Sequence, residues 1–66
     1  MVLNSSCIRD IFYCAAGLNL TVSMDSGVYT YVGVPLEVAA LFLVSESKGS
    51  FYNRFIKNEY QYHRLQ

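Results

Sequence analysis

The chain has 66 residues, 53% of them hydrophobic and only 15% charged, and carries no net charge. That composition excludes a disordered tail, and the length allows one domain at most, which buries only about 60% of its unfolded surface. So much apolar content on so little volume predicts apolar surface left outside, where it marks contact with a second copy or a partner; a homodimer is the expected state.

The opening "MVLNSSC" lacks the basic and then apolar run of a signal peptide. The longest apolar run, "VAALFLV" from Val38 to Val44, is far short of the roughly 20 residues that span a bilayer. A cytoplasmic protein with no membrane contact is therefore expected, with Cys7 and Cys14 as reduced, small apolar residues. Two cysteines and the lone His63 make no recognised metal spacing, so no metal or cofactor is expected.

"CIRDIFYC", Cys7 to Cys14, is the first predicted strand, rich in β-branched and aromatic residues. "AAGLN" follows as a glycine-containing turn. In "LNLTVSM", Leu18, Leu20, Val22 and Met24 alternate with Asn19, Thr21 and Ser23, the period of a half-buried strand. "DSG" then predicts a hairpin, and "VYTYVGV" returns as the third strand. A two-residue loop at Ser26 and Gly27 sets Met24 against Tyr29 and Val22 against Tyr31, with both tyrosines on the face of Leu20, Val22 and Met24. A three-residue loop throws them to the other face. The shorter loop is the favoured register.

Pro35 suits the first turn of a helix, predicted from Pro35 to about Ser45. Val38, Leu41, Phe42 and Ser45 lie at core-facing spacing. The helix is apolar nearly all round, and one small sheet cannot cover every side. Leu36, Ala40, Leu43 and Val44 are thus candidates for an oligomer or partner interface. "SKGS" is read as a helix stop at Gly49, with a second short helix from Ser50, its N-cap, to about Asn58. Phe51 with Phe55, and Tyr52 with Ile56, form an apolar stripe, with Arg54 and Lys57 on the other side. "YQYHRL" alternates as an edge strand or an extended tail.

The zero net charge hides an imbalance. Residues 1–47 hold Arg9 against Asp10, Asp25, Glu37 and Glu46, one cation against four carboxylates, net −3. Residues 48–66 hold Lys48, Arg54, Lys57 and Arg64 against Glu59, net +3. Such asymmetry suggests an anionic partner for the end segment. Lys48 and Gly49 could meet a phosphate at a helix terminus, Arg54, Lys57 and Arg64 could neutralise others, and Tyr29, Tyr31, Tyr60 and Tyr62 could stack bases. The plain alternatives are a helix cap, a solvated helix face and core aromatics. Neither a nucleophile–base–acid set nor paired carboxylates can be argued from spacing, so no enzyme is expected.

Ser6 and Ile8, Tyr13, the Y-x-Y at Tyr29 and Tyr31, "VP" at Val34 and Pro35, "SKG" at Ser47 to Gly49, the Phe51/Tyr52/Asn53 cluster, Ile56 and Tyr60-x-Tyr62-x-Arg64-Leu65 together resemble the KTSC domain over nearly the whole chain. That family's domain is appended to the C-terminus of some lysyl-tRNA synthetases and is also free-standing in bacteria and phages. The resemblance implies a small domain without an established catalytic role, for which RNA binding is suggested by its domain company. Ala39, Ala40, Leu41 and Val44 make the first helix more apolar than the family's usual pattern, which fits self-association.

The expected architecture is α+β: an antiparallel three-stranded β-meander, a covering helix, a second short helix, and a C-terminal extended segment or edge strand, all in one domain over residues 1–66. The expected function is non-catalytic binding of RNA or a nucleotide by the C-terminal basic and aromatic surface. The rival is a phage-type small inhibitor or interaction module. It would block a host defence protein or sequester a nucleotide immune signal, with the first helix making the contact.

Overall fold

The computed structural model describes residues 8–65, so Cys7 and Ser6 lie outside the described residues. Strands β1 (Ile8–Cys14), β2 (Asn19–Met24), β3 (Gly27–Tyr31) and β4 (Tyr62–Arg64) form one antiparallel sheet in the order β1-β2-β3-β4. Between β3 and β4 come helix α1 (Leu36–Val44) and helix α2 (Lys48–Phe51), which runs directly into a π-helical turn, Tyr52–Ile56. The sheet has four strands, one more than the three-stranded meander expected. The terminal segment, expected as an extended segment or an edge strand, takes the edge-strand form and supplies the fourth by pairing Tyr29 with Arg64, Thr30 with His63 and Tyr31 with Tyr62. Bonds from Val32 N–H to the Gln61 carbonyl (2.9 Å) and from Leu65 N–H to the Val28 carbonyl (2.7 Å) extend that pairing on both sides.

The hairpin register differs from the expected one by two residues. Met24 pairs with Gly27, Val22 with Tyr29 and Leu20 with Tyr31, leaving Asp25 and Ser26 in the loop. Gly27 sits just past the turn at φ 146°, a conformation that L side chains rarely adopt, so its freedom is used at the strand's first residue. A shift of two preserves the face of every side chain. Tyr29 and Tyr31 therefore do share the face of Leu20, Val22 and Met24. In the preceding turn the positive φ falls on Leu18 (56°) and not on Gly17.

Pro35 caps α1 in extended conformation (φ −65°, ψ 153°), one residue before the helix begins. Its carbonyl accepts from the N–H groups of Val38 and Ala39, both at 3.1 Å. The phase of α1 departs from expectation. Ala39 and Phe42 are buried, Val38 is half-buried, and Leu41, assigned to the core by spacing, is 58% exposed. A helix apolar on every side carries almost no phase in its sequence, so packing chooses which stripe goes in.

The helix also ends differently. Ser45 and Ser47 are both extended, α2 begins at Lys48, and Gly49 lies inside its first turn. Gly33 and Gly27 are the glycines with positive φ among the described residues, so Gly49 is no left-handed stop. Ser50 is likewise within the helix and caps nothing. The stop comes from the Ser45–Ser47 bend, where the Ser47 N–H donates to Ser45 Oγ (3.2 Å) and the Ser45 hydroxyl donates to the Ser47 carbonyl (3.1 Å).

The core lies between one face of the sheet and the helical layer. It comprises Leu20, Val22, Met24, Tyr31, Val34, Ala39, Phe42, Tyr52 and Ile56. Phe42 and Phe51 stack at 5.4 Å between centroids, joining α1 to α2. Tyr31 and Tyr52, 2% and 4% exposed, meet edge to face at 5.9 Å and share a hydroxyl–hydroxyl hydrogen bond across the layers. Burial, above all, raises the pKa of both phenols; the shared bond adds to the rise for Tyr31 and opposes it for Tyr52.

Two outcomes follow from this pair. Tyr52→Phe strands a buried hydroxyl on Tyr31 and is expected to cost about 1–3 kcal/mol. Tyr31→Phe combined with Tyr52→Phe removes both groups and should recover most of that loss, as a double-mutant cycle in urea would record. A phenol whose folded pKa is raised contributes its full stability below the unfolded value of about 10. It loses that contribution as pH rises further, because the unfolded chain ionises first. Unfolding midpoints should therefore fall above about pH 10, and fall less in the double variant.

Candidate functional site

Four cations were expected to gather in the C-terminal third, and the fold separates them. Lys48, at the start of α2, lies against the β1 edge of the sheet. With Ile8, Arg9, Asp10, Ile11 and Leu43 it lines a shallow depression of about 320 Å³. Its ammonium donates to the Ser45 carbonyl at 2.8 Å, closing the C-terminal end of α1. Arg64 lies on β4, the opposite edge of the same sheet. Its guanidinium donates to the Ser26 carbonyl (2.8 Å) and sits 5.7 Å from the centroid of Tyr29. Arg64 thus latches the last strand to the β2–β3 turn. Arg54 lies over Phe55 at 5.5 Å on the π-helical turn, exposed, as is Lys57 just after it. The single basic surface over Lys48, Gly49, Arg54, Lys57 and Arg64 is corrected accordingly: Lys48 and Arg64 occupy opposite edges of the sheet. Gly49 lies inside the four-residue α2, after its N-cap Ser47, which makes no side-chain cap bond.

The tyrosines divide by depth. Tyr31 is sealed in the core and offers no ring face to a ligand, which removes it from the stacking set. Tyr29 and Tyr60 are half-buried. Tyr62 is 51% exposed and packs on both Tyr29 (5.6 Å, edge to face) and Tyr31 (5.3 Å). Tyr62, Tyr29 and Arg64 therefore form one cluster at the β4 edge, with an exposed ring over a half-buried one.

The interface residues proposed on α1 do come together. Leu36, Ala40 and Val44 follow one another at intervals of four, so they run down a single line of the helix. Leu43 flanks this line on one side and Leu41 on the other. Leu36 is 59% exposed, Leu43 47% and Val44 75%, with Ala40 exposed between them. Glu37 is the only charge on the helix. Leu41 was missed in the sequence because it was assigned inward; the exposure of Phe55 was missed because Tyr52 and Ile56 take the inner positions of the π-helical turn. Beside Leu41 a shallow groove of about 460 Å³ runs between α1 and that turn, lined by Val38, Leu41, Phe51, Arg54, Phe55, Glu59 and Tyr60.

Among the described residues no helix covers the other face of the sheet. Its central row sets Phe12 opposite Thr21, Thr21 opposite Thr30 and Thr30 opposite His63. The two threonine hydroxyls bond at 3.0 Å. Polar side chains dominate this face, as on an antiparallel sheet solvated on one side. Among the described residues no helix is long and apolar enough to cross a membrane.

A family model described as the KTSC domain matches residues 4–60. A lysine–tRNA ligase of Trichormus variabilis is 38% identical over 61 residues, covering 91% of this chain and 11% of that protein. A second lysine–tRNA ligase, of a Nostoc species, is 40% identical over 47 residues, covering 70% of this chain and 8% of its own length. The chain thus spans about a tenth of these curated relatives. A crystal structure of a KTSC domain protein from Yersinia pestis superposes with a TM-score of 0.88 at 29% identity, covering 98% of this chain and 92% of that one.

The Arg64 latch generates an expectation. Arg64→Ala removes a charge-assisted bond and a cation–π contact, together worth about 1–2 kcal/mol. Amide hydrogen exchange should quicken at Leu65 and Val32, the two donors that extend the β3–β4 pairing, while Leu20 and Val22 in the sheet centre keep protection nearer the global value.

Proposed function

The chain belongs to the KTSC domain family, and from that premise we propose that it is a non-catalytic protein-interaction domain that docks through the outward face of α1. The observation carrying this reading is the line Leu36–Ala40–Val44 with its flanks Leu41 and Leu43, every member exposed on a helix with one charge. Full burial of a leucine or valine is worth about 1.5–3 kcal/mol. Covering the exposed parts of these side chains contributes on the order of 5 kcal/mol per surface. Two such surfaces together match the association cost of about 4–15 kcal/mol, so the contact is reversible. An apolar contact of this kind suits a second copy of the chain. In the inhibitor reading it suits a host protein surface.

A second reading rests on the Tyr62–Tyr29–Arg64 cluster. An exposed ring beside a guanidinium is the composition of a base-stacking site, and two relatives bear the name of an enzyme that handles tRNA. The separation of Lys48 from Arg64 leaves that site with few cations, which places it behind the α1 reading.

The two readings part in one pair of measurements: solution mass by light scattering, and binding of a labelled oligouridine RNA, each at low and moderate salt. The α1 reading expects a mass above the monomer that changes little with salt and returns to monomer in Val44→Glu. It expects RNA binding that is weak and unmoved by Arg64→Glu. Monomer mass at every concentration, together with RNA binding that falls about tenfold or more with salt and with Arg64→Glu, would reverse the order of the readings.

A further inference from the structure

Building on the α1 contact reading, the geometry points to a specific arrangement: two copies of the chain pack α1 against α1 antiparallel, across a two-fold axis that passes beside Ala40. A two-fold interface must be self-complementary, one surface meeting itself reversed. The outward line of α1 has that property. It reads large, small, large, with Leu36 four residues before Ala40 and Val44 four residues after it. Turned end for end, it presents the same sequence of sizes. Ala40 then meets Ala40 of the second copy, where the absence of bulk lets the helices approach closely, and Leu36 meets Val44 of the second copy.

Charge favours the same direction. A parallel pair would set the two Glu37 carboxylates beside each other, the only charges on the helices. The antiparallel pair separates them by about 9 Å along the axis. It also carries each Glu37 toward the end of the second copy's α1, the end where Lys48 holds the Ser45 carbonyl at 2.8 Å. Helix dipoles opposed in this way add a favourable term. Area sets the strength. A nine-residue helix is about 14 Å long, and its outward face falls short of the roughly 800 Å² per partner of a standard interface. The dimer is accordingly reversible with dilution.

Disulfide trapping tests the arrangement. In a background carrying Cys7→Ser and Cys14→Ser, three single variants are made, Leu36→Cys, Ala40→Cys and Val44→Cys, and each is oxidised with oxidised glutathione at a concentration where light scattering reports dimer. Ala40→Cys should cross-link to itself, since the paired Cα atoms fall within the roughly 4.4–6.8 Å a disulfide requires. The two Leu36 positions lie about 12 Å apart along the axis, so Leu36→Cys should stay uncrosslinked, as should Val44→Cys. Mixing those two variants should yield the mixed disulfide. Adding Val44→Glu to Ala40→Cys should abolish trapping, with circular dichroism showing that the fold is kept. Dimer mass with Leu36→Cys trapping to itself, or with Ala40→Cys silent, would overturn the antiparallel arrangement and leave the α1 contact standing. Monomer mass throughout would overturn both.

Discussion

Tyr31 is the side chain on which the two layers of this domain meet. It leaves the sheet from the last residue of β3, lies beneath the Tyr62 ring of β4, and reaches the Tyr52 hydroxyl on the π-helical turn. A phenol can be buried this completely only if its hydroxyl finds a partner, so the position of Tyr52 follows from it. Tyr52 and Ile56, four residues apart, are the two buried residues of the π-helical turn, and that choice leaves Phe55 outside on the groove. Among the described residues no buried side-chain polar atom lacks a partner, so a layer this thin holds its two phenols without an unpaired group.

That commitment has a consequence for the rest of the surface. With Tyr31, Tyr52 and Phe42 filling the space between layers, α1 needs to contribute only Ala39 and Phe42 to the inside. The remaining apolar residues of α1, the half-buried Val38 aside, face outward because the small sheet and the π-helical turn have no more area to offer. The apolar face is a result of size as well as of composition. A domain near this length cannot enclose a helix that is apolar on all sides.

The polar chemistry is arranged to hold the ends of elements. Lys48 closes α1, Arg64 closes the hairpin turn, and the Arg9–Asp25 ion pair, at 2.7 Å but largely exposed, joins β1 to the same turn with little energetic weight. Two of the four cations that cluster in the sequence, Lys48 and Arg64, therefore become separated capping contacts in space. Linear proximity in the last twenty residues concealed this, since α2 lies over one edge of the sheet and β4 forms the other.

The alternation in Leu18–Met24 was sufficient to determine β2, the glycine after Asp25 and Ser26 the hairpin, and Pro35 the start of α1, because each is a local preference of backbone and pattern. The face of the tyrosines was legible too, since a register error of two leaves facing unchanged. Other features were decided only in three dimensions. The phase of α1 depended on Ala39 and Phe42 fitting under the sheet, since its uniform hydrophobicity names no side. The fourth strand depended on β3 having a free edge for Tyr62–Arg64, the helical role of Gly49 on the Ser45–Ser47 bend ending α1 first, and the division of the cations on strand order. Each of these depends on contacts between residues far apart in the chain, which local composition does not encode.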